Sequence, residues 1–175
     1  MTRPLHIEAL GAHHDRTGFS CGVEALDHYL RGQASQDVRR RATACFVALE
    51  NPTSEVKGYY TLAASGVPLM DMPDPLIKRL PRYPCVPVAR LGRLAVDMGY
   101  QGRRLGGALL WDAIMRASRS EVAVFALVVD AKDDRAESFY LHHGFVGFGS
   151  VPRQMILPLS PVIRDLAKNP ILQGG

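Results

Sequence analysis

A glycine-rich turn holds the residues of this chain whose types and spacing are best suited to chemistry. It lies between a predicted strand that ends at Val96 and a predicted helix, and it reads Gln101-Gly102-Arg103-Arg104-Leu105-Gly106-Gly107. The first N–H groups of a helix have no intrahelical partner, and the helix dipole makes that end positive. Because such a turn suits a pyrophosphate and its arginines add charge, it predicts a site for a diphosphate-containing ligand.

Two other phosphate-binding motifs do not fit this turn. No Gly-Lys-Ser/Thr follows it, which excludes a nucleoside-triphosphate P-loop. The GxGxxG spacing of a dinucleotide-binding turn is also absent. A plain glycine turn in front of a helix remains an open alternative from these residues alone.

Hydrophobic periodicity predicts the elements that position the turn. The predicted helices are Ser20–Ala34 with Ser20 as N-cap, a short helix around Leu76–Leu80, Leu105–Ser118, and a helix capped by Asp134 that stops at Gly144. The predicted strands are Ala44–Glu50, Gly58–Ala64, Val88–Val96, Val122–Val129, Phe145–Phe148 and Gln154–Leu157. This order indicates an α/β (α+β) fold, a single domain with a mixed central sheet flanked by helices. We expect residues 1–160 to form this domain and residues 161–175 to form a C-terminal tail.

Composition sets broad limits on the kind of protein. The chain has 175 residues, of which 47% are hydrophobic, and no apolar run is long enough to span a bilayer. We see no signal peptide, so we expect a cytoplasmic protein without a membrane partner.

The three cysteines include no CxxC pair and are expected to be free thiols. The doublets His13-His14 and His142-His143 lack the ligand spacing and company of a zinc site, so no metal is expected.

Basic residues are grouped along the chain, which carries a formal charge of +4. The groups outside the turn that concern us are Arg39, Arg40, Arg41, Lys78, Arg79, Arg82, Arg90 and Arg93. Such groups favour a phosphate-rich ligand or partner. Solvated charged faces explain them equally well from the sequence alone.

The turn and a later segment together resemble a known superfamily. Gln101-x-x-Arg104-x-Gly106 is similar to the Gln/Arg-x-x-Gly-x-Gly/Ala signature of the GNAT acetyltransferases, and Val128–Ala131 with Phe139-Tyr140 and Gly144-Phe145 is similar to their next conserved block. The segments Phe19–Gly22, Gly58–Leu62 and Leu91–Asp97 resemble the toxin branch, the TacT- and AtaT-like proteins of type II toxin–antitoxin modules. The resemblance spans about residues 19 to 145.

One position departs from the signature. Its first glycine is replaced by Arg104 in this chain. Because residues other than glycine rarely adopt a positive φ, we expect that this position does not need one.

The resemblance implies a GNAT-like domain with a particular reaction. Members of that branch use acetyl-CoA to acetylate the α-amino group of aminoacyl-tRNA, which blocks translation. They are typically neutralised by a ribbon-helix-helix antitoxin, and a homodimer is expected. The alternatives are a GNAT enzyme acting on a small amine or a protein lysine, a non-enzymatic acyl-CoA-binding regulatory module, and a plain nucleic-acid-binding protein.

The resemblance also implies roles for individual residues. The strand residues Leu94, Ala95 and Val96 would pair with the pantetheine arm, and a backbone N–H there would polarise the thioester carbonyl. The seven residues of the turn would hold the pyrophosphate. Tyr140 lies where the family has its catalytic tyrosine and is the candidate general acid; packing against Phe139 is the alternative.

The acceptor amine bears on the choice of substrate. No convincing general base is found, since Asp97 serves equally well as a cap for the turn. A free α-amine has a reference pKa of about 7.7–8.0, against about 10.4 for lysine, so it needs no strong base. This favours aminoacyl-tRNA, whose acceptor-stem phosphates the eight basic residues named above would contact. Some of these residues could instead bind the 3′-phosphate of acetyl-CoA or an acidic antitoxin segment.

Overall fold

The computed structural model describes residues 3–169. In chain order the elements are β1 (Leu5–Ala9), α1 (Glu24–His28), a π-helical turn (Tyr29–Gln33), α2 (Ala34–Arg39), β2 (Ala44–Glu50), β3 (Val56–Pro68), α3 (Asp74–Ile77), β4 (Cys85–Val96), α4 (Leu105–Ser118), β5 (Ala126–Asp130), α5 (Asp134–His142), β6 (Val146–Gly147), β7 (Gln154–Pro158) and α6 (Ser160–Lys168). Among the described residues, no helix has the length and apolar character needed to cross a membrane.

The strands form one mixed seven-stranded sheet in the order β1-β2-β3-β4-β5-β7-β6. The pairs β1–β2, β2–β3, β5–β7 and β6–β7 are antiparallel. The predicted α/β class, a mixed sheet flanked by helices, is therefore confirmed.

The chain divides into two compact units, which we describe separately. The first unit contains the described residues up to 63 together with 91–113, and the second contains 64–90 and the described residues from 114 onward. The strands β3 and β4 each contribute to both units.

The core of the first unit is formed where the helical segment α1–α2 packs on β2 and β3. Tyr59 is fully buried, and its ring contacts Phe19 edge-on and stacks with Tyr29. Its hydroxyl donates to the carbonyl of Leu26 at 2.7 Å, so the polar end of this buried ring is satisfied. The remaining buried members include Leu30, Ala34, Cys45, Val47, Leu49, Val56 and Ala95.

The core of the second unit lies between β5, β7 and the first half of β4. Val88, Ala126, Val128 and Ile156 are fully buried at its centre. Phe148, Met72, Val67 and Val86 close it, with Leu69, Ile77, Leu80 and Phe125 packed against them. The proline-rich stretch is thus anchored on this core by partly buried apolar residues, although Met70 is 84% exposed.

Helix caps differ from those predicted. Val23, not Ser20, is the N-cap of α1, because the helix begins at Glu24; the N–H of Ser20 donates to the carboxylate of Asp97 at 3.1 Å. Asp133, not Asp134, caps α5 by accepting from the N–H of Ala136 at 2.8 Å. The side chain of Asp134 instead pairs with an arginine, Arg153.

Other elements also depart from expectation. The helix predicted at Ser20–Ala34 begins at Glu24 and passes through the π-helical turn before α2, and α3 spans Asp74–Ile77 rather than Leu76–Leu80. β1 was not predicted, although its five residues, Leu-His-Ile-Glu-Ala, alternate between apolar and polar types. β5 begins at Ala126, since Val122 is 75% exposed in the connection from α4. The segment predicted as a tail contains α6, whose Leu166 is buried; residues 170–175 of that segment lie outside the described residues.

Candidate functional site

The glycine-rich turn is an exposed loop that leads directly into α4. Residues 101–104 are all exposed, and α4 has the predicted bounds of Leu105–Ser118. Gly102 has φ +76° and Arg104 has φ +65°. The expectation that Arg104 would avoid a positive φ is therefore wrong. The chain turns through two left-handed residues here, and the second is an arginine that takes the strain a glycine would avoid.

The first turn of α4 directs its N–H groups outward from the helix. Ala108 donates to the carbonyl of Arg104 at 3.1 Å, so the N–H groups of Leu105, Gly106 and Gly107 precede the intrahelical ladder. No acidic side chain lies in this first turn. The helix terminus consequently keeps its positive potential and suits an anion.

The side chain of Gln101 stabilises the turn through two hydrogen bonds to backbone carbonyls. Its amide nitrogen donates to the carbonyls of Cys21 and Val96, each at 3.0 Å. It thereby ties the end of β4 to the segment that precedes α1. Both amide hydrogens are used in these two hydrogen bonds, so the side-chain nitrogen of Gln101 has no hydrogen left to donate to a ligand.

Asp97 caps the short 3-10 turn at Met98–Tyr100. Its carboxylate accepts from the N–H of Gly99 at 2.9 Å as well as from Ser20. The two readings left open by the sequence are thus separated by geometry. A carboxylate engaged by two backbone donors holds the turn in shape, and the role of general base has no support from its contacts.

Aromatic and charged groups surround the turn on the side of Tyr100. The Arg103 guanidinium lies 4.9 Å from the centre of the Tyr100 ring, and Lys57 Nζ lies 5.2 Å from it. The Tyr100 hydroxyl donates to Glu50 at 2.7 Å, and this hydrogen bond raises the pKa of Tyr100. The ring is therefore a fixed, neutral platform that holds Arg103 beside the turn.

The end of β4 is packed closely against β3 and α4. Ala95 is buried, and its neighbours Leu94 and Val96 are half-buried. At Gly58 on β3, a Cβ would lie 2.9 Å from a Leu109 methyl and 3.2 Å from the Ala95 carbonyl oxygen. Glycine at this position therefore lets α4 and the end of β4 approach β3, which sets where the turn begins.

Tyr140 lies in the second unit, on the inner face of α5. It is 8% exposed, and its ring meets Phe139 and Phe145 edge-on at 5.2 and 5.4 Å. Burial raises the pKa of Tyr140 to about 12. The phenol is consequently protonated at neutral pH and holds a proton that it can donate.

The eight basic residues fall into two physical classes. Six are exposed and stand on the surface, namely Arg39, Arg40 and Arg41 in the first unit and Lys78, Arg79 and Arg82 in the second. Arg90 is half-buried and pairs with Asp130 at 2.6 Å in the second unit. Arg93 is half-buried in the first unit and lies over the ring of Tyr29.

Sequence reasoning missed the residues that hold the glycine-rich turn and Arg93 in place. Tyr29, Asp37 and the backbone of Ser20 and Cys21 position parts of the site through contacts far apart in the chain. A tyrosine at helical spacing indicates a core residue equally well, so the sequence contained no signal for this role.

The chain belongs to the GNAT acetyltransferase family. The model of the Acetyltransferase (GNAT) family matches residues 9–145. The resemblance drawn from the turn and the later block is thereby confirmed.

Relatives place the chain close to a group of bacterial toxins. It is 39% identical over 133 residues to a protein named tRNA-acetylating toxin from Mycobacterium tuberculosis (strain ATCC 25618 / H37Rv), covering 75% of this chain and 78% of that one. The solved structure of AtaT complexed with acetyl-methionyl-tRNAfMet superposes with a TM-score of 0.87 at 29% identity, covering 93% of this chain and 99% of that chain. A tyrosine-to-phenylalanine mutant of AtaT, bound to the C-terminus of the antitoxin AtaR and acetyl-CoA, gives a TM-score of 0.78 at 27% identity, covering 94% and 98%.

Proposed function

We propose that this protein is an acetyl-CoA-dependent toxin that acetylates the α-amino group of aminoacyl-tRNA and so blocks translation. The observation that carries the proposal is the turn at residues 101–107. It combines a helix N-terminus free of acidic side chains with two arginines, in a chain similar to a tRNA-acetylating toxin. This arrangement supports binding of the pyrophosphate of acetyl-CoA.

The cofactor is expected to lie along the end of β4. Leu94, Ala95 and Val96 offer backbone groups for the pantetheine arm, and one of their N–H groups would polarise the thioester carbonyl. The turn from Gln101 to Gly107 would hold the diphosphate, with Arg103 kept nearby by Tyr100. Acetyl-CoA supplies the activated acetyl group, and the end of β4 and the turn would hold that group in position for the reaction.

The chemistry is the attack of a neutral amine on a thioester. The amine nitrogen forms a bond to the acetyl carbon, the carbon–sulfur bond breaks, and the sulfur takes up a proton. We assign that proton to Tyr140, whose raised pKa of about 12 keeps the phenol protonated. The α-ammonium, with a reference pKa of about 7.7–8.0, first loses a proton to water to give the neutral amine. After attack the nitrogen loses a second proton to water, and Tyr140 regains a proton from water.

Charged tRNA gives the exposed cations a function. Arg39, Arg40 and Arg41 project from the end of α2, and Lys78, Arg79 and Arg82 from the proline-rich stretch. Cations of this kind contact phosphates and steer nucleic acid without reading sequence. We further propose a cytoplasmic location, where charged tRNA is found, a homodimeric state, and neutralisation by a ribbon-helix-helix antitoxin.

The test is transfer of labelled acetyl from acetyl-CoA to a pool of charged tRNA. Wild type is compared with Tyr140→Phe, and with Tyr83→Phe as a matched control at an exposed tyrosine. We expect label on the aminoacyl group, reduced at least a hundredfold in Tyr140→Phe and unchanged in the control. Label on polyamines or protein, with none on tRNA, would leave an acetyltransferase and overturn the toxin assignment.

A further inference from the structure

A carboxylate and two imidazoles converge beside β1, far along the chain from the glycine-rich turn. Ligand atoms of Glu8, His13 and His14, which we call the Glu8 cluster, all lie within 4.8 Å of one another. His6 adds a third imidazole, with Nε2 3.5 Å from Glu8 Oε2. His6 and Glu8 are two residues apart on a strand, so both side chains leave β1 on the same face.

His14 is the fixed member of the Glu8 cluster. Its side chain is fully buried. Its Nδ1 accepts from the N–H of Gly11 at 2.9 Å, which leaves the ring proton on Nε2. That proton points at Glu8 Oε1, 2.6 Å away.

His13 is the exposed member of the Glu8 cluster. The distance from its Nε2 to Glu8 Oε1 is close to the distance between two ligand atoms of one zinc ion. Its Nε2 lies 3.5 Å from Glu8 Oε1, with the ring packed 4.0 Å from that of His14. Bonds of about 2.0–2.1 Å to a tetrahedral zinc ion separate neighbouring ligand atoms by about 3.4 Å. The His13–Glu8 pair therefore already has the separation that such an ion requires.

We propose that Glu8, His13 and His14 form a binding site for a zinc-class divalent metal ion, with water completing the coordination. Two imidazoles and one carboxylate are a donor set that favours Zn²⁺ and its first-row neighbours over Mg²⁺ and Ca²⁺. The ion replaces the proton that His14 shares with Glu8. The single ring proton of His14 moves from Nε2 to Nδ1, which frees the Nε2 lone pair to bind the ion, and the N–H of Gly11 then donates to water instead of to Nδ1.

The fold explains why the sequence did not reveal this site. The doublet His13-His14 lacks helical or CxxC-type spacing to another ligand. Its partner Glu8 is supplied by a strand that the sequence did not predict, and the turn at residues 11–14 brings the doublet back over that strand. Glycine at position 11 gives the His13 ring room to occupy this position, because a Cβ there would lie 2.9 Å from the ring.

The experiment measures zinc binding by isothermal titration calorimetry and by thermal unfolding. All proteins carry Cys85→Ser, because Cys85 is an exposed thiol that would bind zinc by itself. The test variants are His13→Asn, at a side chain 72% exposed, and Glu8→Gln, which keeps an acceptor for His14. The matched control is His28→Asn, which removes another exposed histidine that lies 3.9 Å from a glutamate, Glu24.

We expect one zinc per chain in the Cys85→Ser protein and in the control. Zinc at about 100 times its dissociation constant should raise Tm by roughly 5–10 °C, and equal Mg²⁺ should not. His13→Asn and Glu8→Gln should each weaken zinc binding at least tenfold while Tm without zinc stays within about 2 °C. No binding, or equal binding in His13→Asn, Glu8→Gln and His28→Asn, would overturn the proposal.

Discussion

The guanidinium carbon of Arg93 lies 3.5 Å from the centre of the Tyr29 ring. The Tyr29 hydroxyl donates to Asp37 at 2.9 Å, so the ring is fixed at its far end. Burial, followed by this hydrogen bond, raises the pKa of Tyr29 to about 12. A neutral ring with a negative face thus holds one arginine of β4 in a single orientation, whereas the cations of residues 39–41 are exposed.

This relationship predicts that Arg93 contributes more to tRNA use than the exposed cations do. Arg93→Ala should raise KM for charged tRNA roughly tenfold, as expected for the loss of one charged hydrogen bond, and KM for acetyl-CoA should change little. The slope of log(kcat/KM) against log salt should fall by about one. Arg40→Ala, at one of the exposed cations, is the comparison and should raise KM for charged tRNA by less than Arg93→Ala does.

Tyr140→Phe should lower kcat by a factor of about 10² to 10⁴ with little change in KM, because it removes a proton donor and keeps the ring. Since burial raises the pKa of Tyr140 to about 12, wild-type kcat should show no decline from ionisation of this phenol between pH 7 and 10. Steady-state kinetics across that range measure both effects. An equal loss of kcat in the control Tyr83→Phe would contradict the assignment.

Alkaline pH should destabilise the protein through the same buried phenols. Burial raises the pKa of Tyr140 and of Tyr29 from a reference of 10.0 to about 12 each. A group with a raised folded-state pKa contributes its full stability below the unfolded pKa and loses it as pH rises through the folded one. Tm should therefore fall between pH 10 and 12, and less steeply in Tyr140→Phe. An unchanged slope in that variant would show that Tyr140 is not among the groups responsible.

The strain at Arg104 can be separated from its charge by comparing two substitutions. Arg104→Ala and Arg104→Gly remove the same charge, and only glycine adopts φ +65° without cost. Arg104→Gly should therefore be more stable than Arg104→Ala by about 1 kcal/mol in chemical denaturation. Both should raise KM for acetyl-CoA to a similar extent. Equal stabilities would mean that the left-handed conformation at this residue is not strained.

The cap of α5 gives a prediction about stability alone. Asp133→Ala removes the acceptor of the Ala136 N–H and should cost about 1 kcal/mol. Asp134→Ala breaks an ion pair at a side chain that is 92% exposed, and should cost less than half as much. Denaturant midpoints of the two variants rank them. A larger loss of stability in Asp134→Ala than in Asp133→Ala would indicate that Asp134 is the cap.

Local patterns predicted the elements whose signals are local. The bounds of β2 and α4 agree with the prediction, because a compact apolar run and a continuous helical period each lie between clear turn residues. The diphosphate turn was found for the same reason, since its glycines and arginines are adjacent in the chain. Resemblance then supplied the expectation for Tyr140, which no spacing could have given.

Features that depend on distant contacts were missed or wrong. Ser20 looked like a helix cap, but α1 begins four residues later at Glu24, and Ser20 is held by a hydrogen bond to Asp97, 77 residues away. The conformation of Arg104 follows from how α4 joins β4, and its residue type argued against a positive φ. β1 alternates apolar and polar residues over only five positions, and it pairs with β2 at all five of them. At Ser20 and Arg104, tertiary structure overrides a local preference.

The order of the strands also limits how this protein can associate with copies of itself. An unpaired sheet edge exposes backbone groups that template aggregation. The two outermost strands are β1, with five residues, and β6, with two. β1 carries the ionisable side chains of His6 and Glu8. Short edge strands with charged side chains disfavour edge-to-edge polymerisation. The protein is therefore expected not to aggregate at the concentrations that binding measurements require.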